Sequence, residues 1–378
     1  MPRSAGGTRR HGDRLESVAS VREGVVAIVA ERMTISQLAA AAEVSVPTVS
    51  KVLNGRPDVA RETRARVEAV IQRHGYQRRR STTPRGPRLV DLVFNELGNP
   101  WALEILRGVE GAAREQGVEV VLSECLGART PRQEWLDSVL ERRPTGVIMV
   151  FSDLDHDQRT QLEARNIPFV VVDPVGEERG DVPSVGSANY TGGGLATRHL
   201  LDLGHRRIAV IGGPPETLCS RARLSGYREA LEHAGVRPDE SLVRSGNFFV
   251  ESGHDEALSL LTSADPPTAI FAGNDLQALG VYRAARELGL RIPDDLSVVG
   301  YDDLPVARWV GPELTTVHQP LARMAETATR LLLTLAAGKT PPALRVDLAV
   351  DLAVRGSTAP PRAPAQSSVP TSRRAAAT

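Results

Sequence analysis

The chain has only two cysteines, Cys125 and Cys219, in 378 residues. Two distant cysteines make neither a disulfide framework nor the clustered spacing of a metal site. No apolar run reaches the roughly 18 residues that a membrane span needs. The Arg-rich, polar N-terminus has no signal-peptide core. A cytoplasmic protein is therefore expected. The marks of catalysis are missing too. No GxGxxG follows a strand-like segment, which leaves a nicotinamide cofactor unsupported. The acidic run Ser152-Asp153-Leu154-Asp155-His156-Asp157 lacks the Gly and distal Glu of a calcium loop, and reads as the acid-rich start of a helix. Gly192, Gly193 and Gly194 precede no phosphate-type Lys, and His205 has no paired nucleophile. A non-enzyme is expected, with no cofactor, no metal and no catalytic residue.

A net charge of either sign is also absent, since 46 basic residues balance 46 acidic ones. The balance conceals an asymmetry. Residues 1–90 hold 17 Lys and Arg against 8 Asp and Glu, and the remainder holds 29 against 38. A basic head on an acidic body suits a protein that meets phosphates at one end only. Charged, solvated faces alone would give the same composition.

What is present is concentrated in residues 34–54, TISQLAAAAEVSVPTVSKVLN. Ile35, Leu38, Ala39 and Ala42 recur at helical spacing behind Thr34, a good N-cap. After a break at Glu43-Val44, Ser45 opens a second helical segment with Val49, Val52 and Leu53 on one side. Two short helices on a tight turn predict a helix-turn-helix, whose second helix fits the major groove of double-stranded DNA. Residues 61–76 predict a third helix with Val67, Val70 and Ile71 inward. Upstream, residues 14–32 show helical spacing and predict an extra helix on the headpiece, with dimerisation as the alternative role. Residues 77–88, QRRRSTTPRGPR, form a basic linker broken by Pro84, Gly86 and Pro87.

From Leu89 the pattern changes. Apolar runs at 89–94, 118–123, 145–150, 168–173, 207–212, 268–273 and 296–301 predict buried strands. Helical segments alternate with them near 101–116, 131–142, 157–165, 190–203, 218–234, 252–262 and 275–289. Such alternation predicts parallel sheets with helices on both faces. The number of units implies two lobes, with a ligand at the carboxyl ends of the strands.

The run VSVPTVSKVLN, followed by Val59, Thr63, Arg64, Val67 and Gly75-Tyr76, resembles the DNA-binding headpiece of the lactose-repressor (LacI/GalR) family of bacterial transcription regulators. The similarity extends over residues 34–356. It implies an all-α helix-turn-helix headpiece joined to an α/β, two-lobed effector domain like the type I periplasmic binding proteins. The expected division is an extension over 1–32, the headpiece over 33–76, the linker over 77–88, the two-lobed domain over 89–356 and a disordered tail over 357–378. Lobe 1 is expected at about 89–203 and 318–338, and lobe 2 at about 204–317 and 339–356. The tail carries no Leu heptads, so a homodimer on a pseudo-palindromic operator is expected.

By resemblance, Val46, Pro47 and Lys51 read bases, while Thr34, Ser45, Thr48, Ser50, Asn54 and Arg64 sit along the phosphate-facing surface. Val46 and Pro47 would touch thymine methyls and Lys51 could reach guanine O6 or N7. For Val46 the alternative is core packing. Glu43 departs from the family, which usually has Gly at this turn. The linker departs further: it contains no leucine to wedge into the minor groove and is about three residues short. Arg78, Arg79 and Arg80 stand there instead and would suit a narrow minor groove, with a plain flexible tether as the alternative.

Polar groups at strand ends outline a ligand cleft. Asn95, Asn99 and Trp101 follow the first strand, Asn274-Asp275 follow the run at 268–273, and Asp302-Asp303 follow the run at 296–301. Carboxylates, amides and Arg forks suit a polyhydroxylated ligand, and an aromatic face covers the apolar side of a sugar ring. The resemblance implies the same places: Arg223 in RLSGYREAL, Asn274 in GNDLQALG, Asp302 in VVGYDDL, Phe248, Gln319 and Trp101. An inter-lobe salt bridge is the alternative for Arg223 and Asp302, and core packing for Trp101 and Phe248. Asp275 reads as a helix cap. Ala188 stands where relatives usually have Asp, which predicts a lost contact, so the ligand need not be lactose-like. The expected function is a ligand-controlled repressor of carbohydrate-use genes. A purine- or nucleoside-responsive regulator is the alternative, and a sugar-binding protein or an enzyme the remoter ones.

Overall fold

A computed structural model describes residues 33–53, 56, 59–74, 88–176 and 181–362. The extra helix expected over 14–32, the linker with Arg78, Arg79 and Arg80, Asn54, and residues 363–378 lie outside the described residues.

The headpiece is three helices, α1 (Ile35–Ala41), α2 (Val46–Leu53) and α3 (Arg61–His74). Thr34 starts α1 through a capping box: its Oγ1 accepts from the Gln37 amide at 3.3 Å while the Gln37 side chain accepts from the Thr34 amide at 2.7 Å. Glu43 turns the chain with φ of 53°, the left-handed conformation that glycine adopts without a Cβ penalty. The turn therefore has the backbone that glycine favours and bears strain at Glu43. Ser45 Oγ accepts from the Thr48 amide at 3.3 Å and opens α2. Leu38, Ala42, Val49, Val52, Leu53, Val67 and Ile71 close a small core between the three helices.

The rest of the chain builds two sheets. The first contains β1 (Leu89–Phe94), β2 (Glu119–Glu124), β3 (Gly146–Val150), β4 (Phe169–Val172) and β5 (Ser184–Ser187), interleaved with α4 (Pro100–Glu115), α5 (Gln133–Arg142) and α6 (His156–Ala164). After α7 (Asn189–Asp202) the second contains β6 (Ile208–Gly212), β7 (Val243–Ser245), β8 (Ala269–Ala272), β9 (Ser297–Asp302) and β10 (Thr315–His318), with α8 (Leu218–His233), α9 (Val250–Leu261) and α10 (Asp275–Glu287) between them. The chain ends with α11 (Leu321–Ala336), β11 (Arg345–Leu348) and β12 (Asp351–Ala353). The strand orders are β11-β5-β4-β3-β1-β2 and β12-β10-β9-β8-β6-β7. Every pairing is parallel except β10 with β12.

Burial on both faces follows from the two-residue period of a strand. In β3, Ile148 and Val150 pack under α4 and α11, while Val147 and Met149 pack under α5 and α6. In the second lobe, Ala209 and Ile211 face α9 and α10, while Ile208 and Val210 face α7 and α8. The three glycines at 192–194 serve packing of this kind: a Cβ on Gly193 would collide with the Arg223 carbonyl of α8.

The chain crosses between lobes three times, between β5 and α7, between β10 and α11, and between β11 and β12. This corrects the expected lobe boundaries. Residues 189–202 belong to lobe 2, because α7 packs on α8 and under the second sheet. Residues 345–348 belong to lobe 1, because β11 pairs with β5 from Arg345 opposite Ser184 to Leu348 opposite Ser187. The tail also starts later than expected. Ser357 is fully buried and its Oγ donates to the Val298 carbonyl at 2.6 Å, while the Ala359 carbonyl sits 2.9 Å from His205 Nε2. His205 is the staple for this segment, sitting between Thr268, Ser297 and Ala359. Burial lowers its pKa, in keeping with a neutral structural ring. The acidic run at 152–157 begins α6, with Asp155 as N-cap in a capping box with Gln158.

Candidate functional site

On the headpiece, the N-terminal half of α2 faces outward. Val46 is 38% exposed, which rules out core packing for its side chain, and Pro47 and Lys51 are exposed as well. Thr48 and Ser50 are half-buried. Thr34 and Ser45 act as caps, and Ser45 Oγ lies 2.8 Å from Thr48 Oγ1. Arg64 on α3 donates from Nη2 to the Arg56 carbonyl at 2.5 Å, in the α2–α3 loop.

Between the lobes lies a cleft of about 810 Å³. Asn95, Trp101, Arg223, Phe248, Asn274 and Asp302 all line it, as do Asn99, Phe151, Asp173 and Asn247. Strand ends aim these groups inward. Phe151 follows β3, Asp173 follows β4, and Asp302 ends β9. Phe151, Asp173, Phe248 and Asp302 all have positive φ, at 49°, 53°, 70° and 105°. Non-glycine residues bear a cost of order 1–3 kcal/mol each in sparsely populated regions, and such strain concentrates at ligand sites.

Arg223 is the hub of the cleft. It is buried on α8, and its Nε donates to Asn189 Oδ1 at 2.8 Å. Its Nη1 donates to the Gly273 carbonyl at 2.6 Å and its Nη2 to Gln319 Oε1 at 3.4 Å. Its guanidinium carbon lies 3.6 Å from the Tyr301 ring centroid. Gln319 in turn donates to Ser187 Oγ at 3.0 Å. Ser187, Asn189 and Gln319 flank two of the three crossings, so the arginine is bonded to the segments about which the lobes would move.

Asp302 sits 3.8 Å from Arg223 Nη2, within ion-pair range but beyond hydrogen-bond range. Its Oδ1 is buried with no hydrogen-bond partner among the described residues. Burial holds its carboxyl well above the usual carboxylate range, and burial pushes the neighbouring Asp173 up to about 6 against the pull of Arg223. A second buried carboxylate beside an unmet oxygen asks for hydrogen-bond donors from outside the protein. Trp101, Phe151 and Phe248 form an edge-to-face chain at 6.3 Å centroid spacing beside these polar groups.

Two expectations need correction here. Gln319 does not line the cleft; it stands behind Arg223 and positions it. Asp275 is not the cap of α10. Asn274 is, through its Oδ1 on the Gln277 amide at 2.9 Å, whereas Asp275 accepts from Thr316 Oγ1 and the Leu304 amide in the interior. Asn274 also donates to the Phe248 carbonyl at 3.0 Å, so its amide holds the cleft wall together. Sequence reasoning missed Asp173 and Phe151. Both directly follow fully buried apolar strands, the same pattern that marked Asn95.

Among the described residues no helix is long and apolar enough to cross a membrane, and no group of three His, Cys, Asp or Glu could hold a metal ion. A family model described as bacterial regulatory proteins, lacI family, matches residues 34–79, and one for a periplasmic binding protein-like domain matches residues 197–358. The HTH-type transcriptional repressor PurR of Proteus mirabilis is 35% identical over 331 residues, covering 86% of this chain and 97% of that protein. The solved complex of the transcriptional regulator CelR with cellobiose is 35% identical, with a TM-score of 0.66 over 86% of this chain and all of that one. The lac repressor dimer bound to operator and an anti-inducer is 29% identical, with a TM-score of 0.63 over 87% of this chain and all of that one. A headpiece with an outward-facing second helix, a two-lobed α/β domain and relatives matched over nearly their whole length agree: the chain belongs to the lacI family of bacterial DNA-binding transcription regulators, which are not enzymes.

Proposed function

We propose that the protein is a cytoplasmic, homodimeric repressor whose operator affinity is set by a neutral, donor-rich ligand of the sugar type bound between the lobes. The observation that carries this reading is the unmet Asp302 carboxylate oxygen beside Asp173, in a cleft walled by Trp101, Phe151 and Phe248. Two buried carboxyls around one arginine disfavour an anionic ligand. Vicinal hydroxyls satisfy such oxygens, and ring C–H faces match the aromatics. The relative solved with cellobiose supports a carbohydrate. A purine or nucleoside is the second reading, supported by the PurR relative and by aromatic faces that would stack a base.

The two lobes would close on the ligand about the crossing segments. A ligand alters operator affinity only by binding two lobe arrangements unequally. Arg223 links the two events, because its side chain touches the cleft and is hydrogen-bonded to Asn189 and Gln319. On DNA, Val46, Pro47 and Lys51 would read bases, with the arginines at 78–80 along the minor groove. Thermal-shift screening of sugars and purines, followed by calorimetry on the best compound, tests the assignment. Stabilisation by sugars alone supports the first reading, and by purines alone the second. Full ligand affinity in Arg223→Ala or Asp302→Ala would refute the site.

A further inference from the structure

The headpiece does not hang from the linker alone. Arg165, directly after α6 of lobe 1, donates from Nη2 to the Val52 carbonyl at 3.0 Å. Arg143, directly after α5, reaches the Leu53 carbonyl at 3.5 Å. Val52 and Leu53 are the last residues of α2, and carbonyls at a helix C-terminus lack intrahelical donors. Two cations therefore meet the negative end of the helix that reads DNA. Ala164 packs against the headpiece core, and Glu68 of α3 faces Arg165 as a charge partner. Val46 and Pro47 lie at the other end of α2, away from these caps, and Lys51, in the last turn, stays exposed beside them.

We infer that Arg143 and Arg165 form a seat on lobe 1 for the C-terminal end of the recognition helix, holding the headpiece with its reading face outward. A headpiece of about 40 residues lies near the lower limit for a self-sufficient core, so capping from lobe 1 matters to its order. The seat also gives lobe 1 a direct grip on α2, in addition to the covalent linker. Motion of lobe 1 then carries the recognition helix with it. Among the described residues Glu68 Oε1 and Arg165 Nε are buried without a hydrogen bond, a cost to the docked state that makes release of the seat easier.

The test uses the full-length protein with spin labels at Ala40→Cys on α1 and Glu134→Cys on α5, both exposed, the native cysteines being buried. Inter-label distances are measured without DNA, so that the seat is judged separately from any operator. The parent should give one narrow distribution. Arg143→Ala with Arg165→Ala should broaden it, and Glu68→Gln, changed on the headpiece side, should broaden it partly. Operator affinity should fall roughly tenfold in the double variant, the scale of a lost charge-assisted contact, with unaltered melting of the two lobes. A distribution that stays narrow in both variants would overturn the seat. Broadening with unchanged or tighter operator binding would overturn its orienting role.

Discussion

Among single residues, Asp302 and Asp173 carry the sharpest expectations. Asp173 has its folded pKa raised to about 6 by burial. The native state then holds a proton that the unfolded chain has released, so this group's contribution to stability falls as pH rises from about 4 to about 6. Asp173→Asn should remove that loss. Its stability relative to the parent should grow across this interval, by at most on the order of 3 kcal/mol. Chemical denaturation at pH 4, 5 and 6 reads the difference, and a constant offset would count against a buried, protonatable Asp173. Asp302→Asn keeps the shape but removes the carboxylate. It should weaken ligand binding by roughly tenfold to a hundredfold, as for one hydrogen bond to a charged group, with operator binding in the absence of ligand unchanged. On the headpiece, Lys51→Ala should relax preference at one base position at a cost of roughly 1–3 kcal/mol. Identical base-preference profiles would remove Lys51 from the reading set. Asp173 itself was legible by the rule that found Asn95, a polar residue closing a buried apolar run. Gln319 was misplaced because family position gives proximity to the cleft, whereas only packing shows that Arg223 stands in front of it.

At the scale of elements, the headpiece was legible because caps, spacing and residue types agree over α1, α2 and α3. Glu43 is the one conflict, and the structure resolves it as a left-handed residue rather than a new turn. Glu43→Gly should therefore stabilise the headpiece by about 0.5–1 kcal/mol, the relief of a Cβ at positive φ offset by glycine's extra freedom in the unfolded chain. Amide exchange within α1 and α2 would report it, and faster exchange would contradict the strain argument. Seven strands showed themselves as apolar runs. The remaining ones, among them β5 (SVGS), β11 (RVDL) and β12 (DLA), are short and mixed, and only their pairing partners make them strands. That is why the crossings, and with them the lobe boundaries, were not readable. Across the cleft, Arg129 of lobe 1 meets Glu216 of lobe 2 at 2.5 Å, with both side chains about half exposed. An ion pair in solvent contributes about 0–1 kcal/mol. Glu216→Gln should thus change ligand affinity by no more than about fivefold, and calorimetry at two salt concentrations checks it.

In the whole molecule, three parts act together. A basic headpiece presents α2 outward, a two-lobed domain holds a strained, donor-seeking cleft, and Arg223 connects that cleft to the crossings. Fold class and DNA binding were legible early, because they rest on long periodic patterns and a dense motif. Ligand identity was not, because it depends on a few side chains whose spatial order the sequence conceals. Two headpieces related by a two-fold axis would require a pseudo-palindromic site. The most direct test of the central claim is operator binding by the full-length protein, titrated with the compound that best stabilises it, for parent and Asp302→Asn side by side. The expected result is a symmetric footprint and an operator affinity that shifts at least tenfold with the compound in the parent, with the variant needing roughly tenfold to a hundredfold more compound for the same shift. Overlapping titrations of the two proteins, or operator binding indifferent to a compound that occupies the cleft, would contradict it.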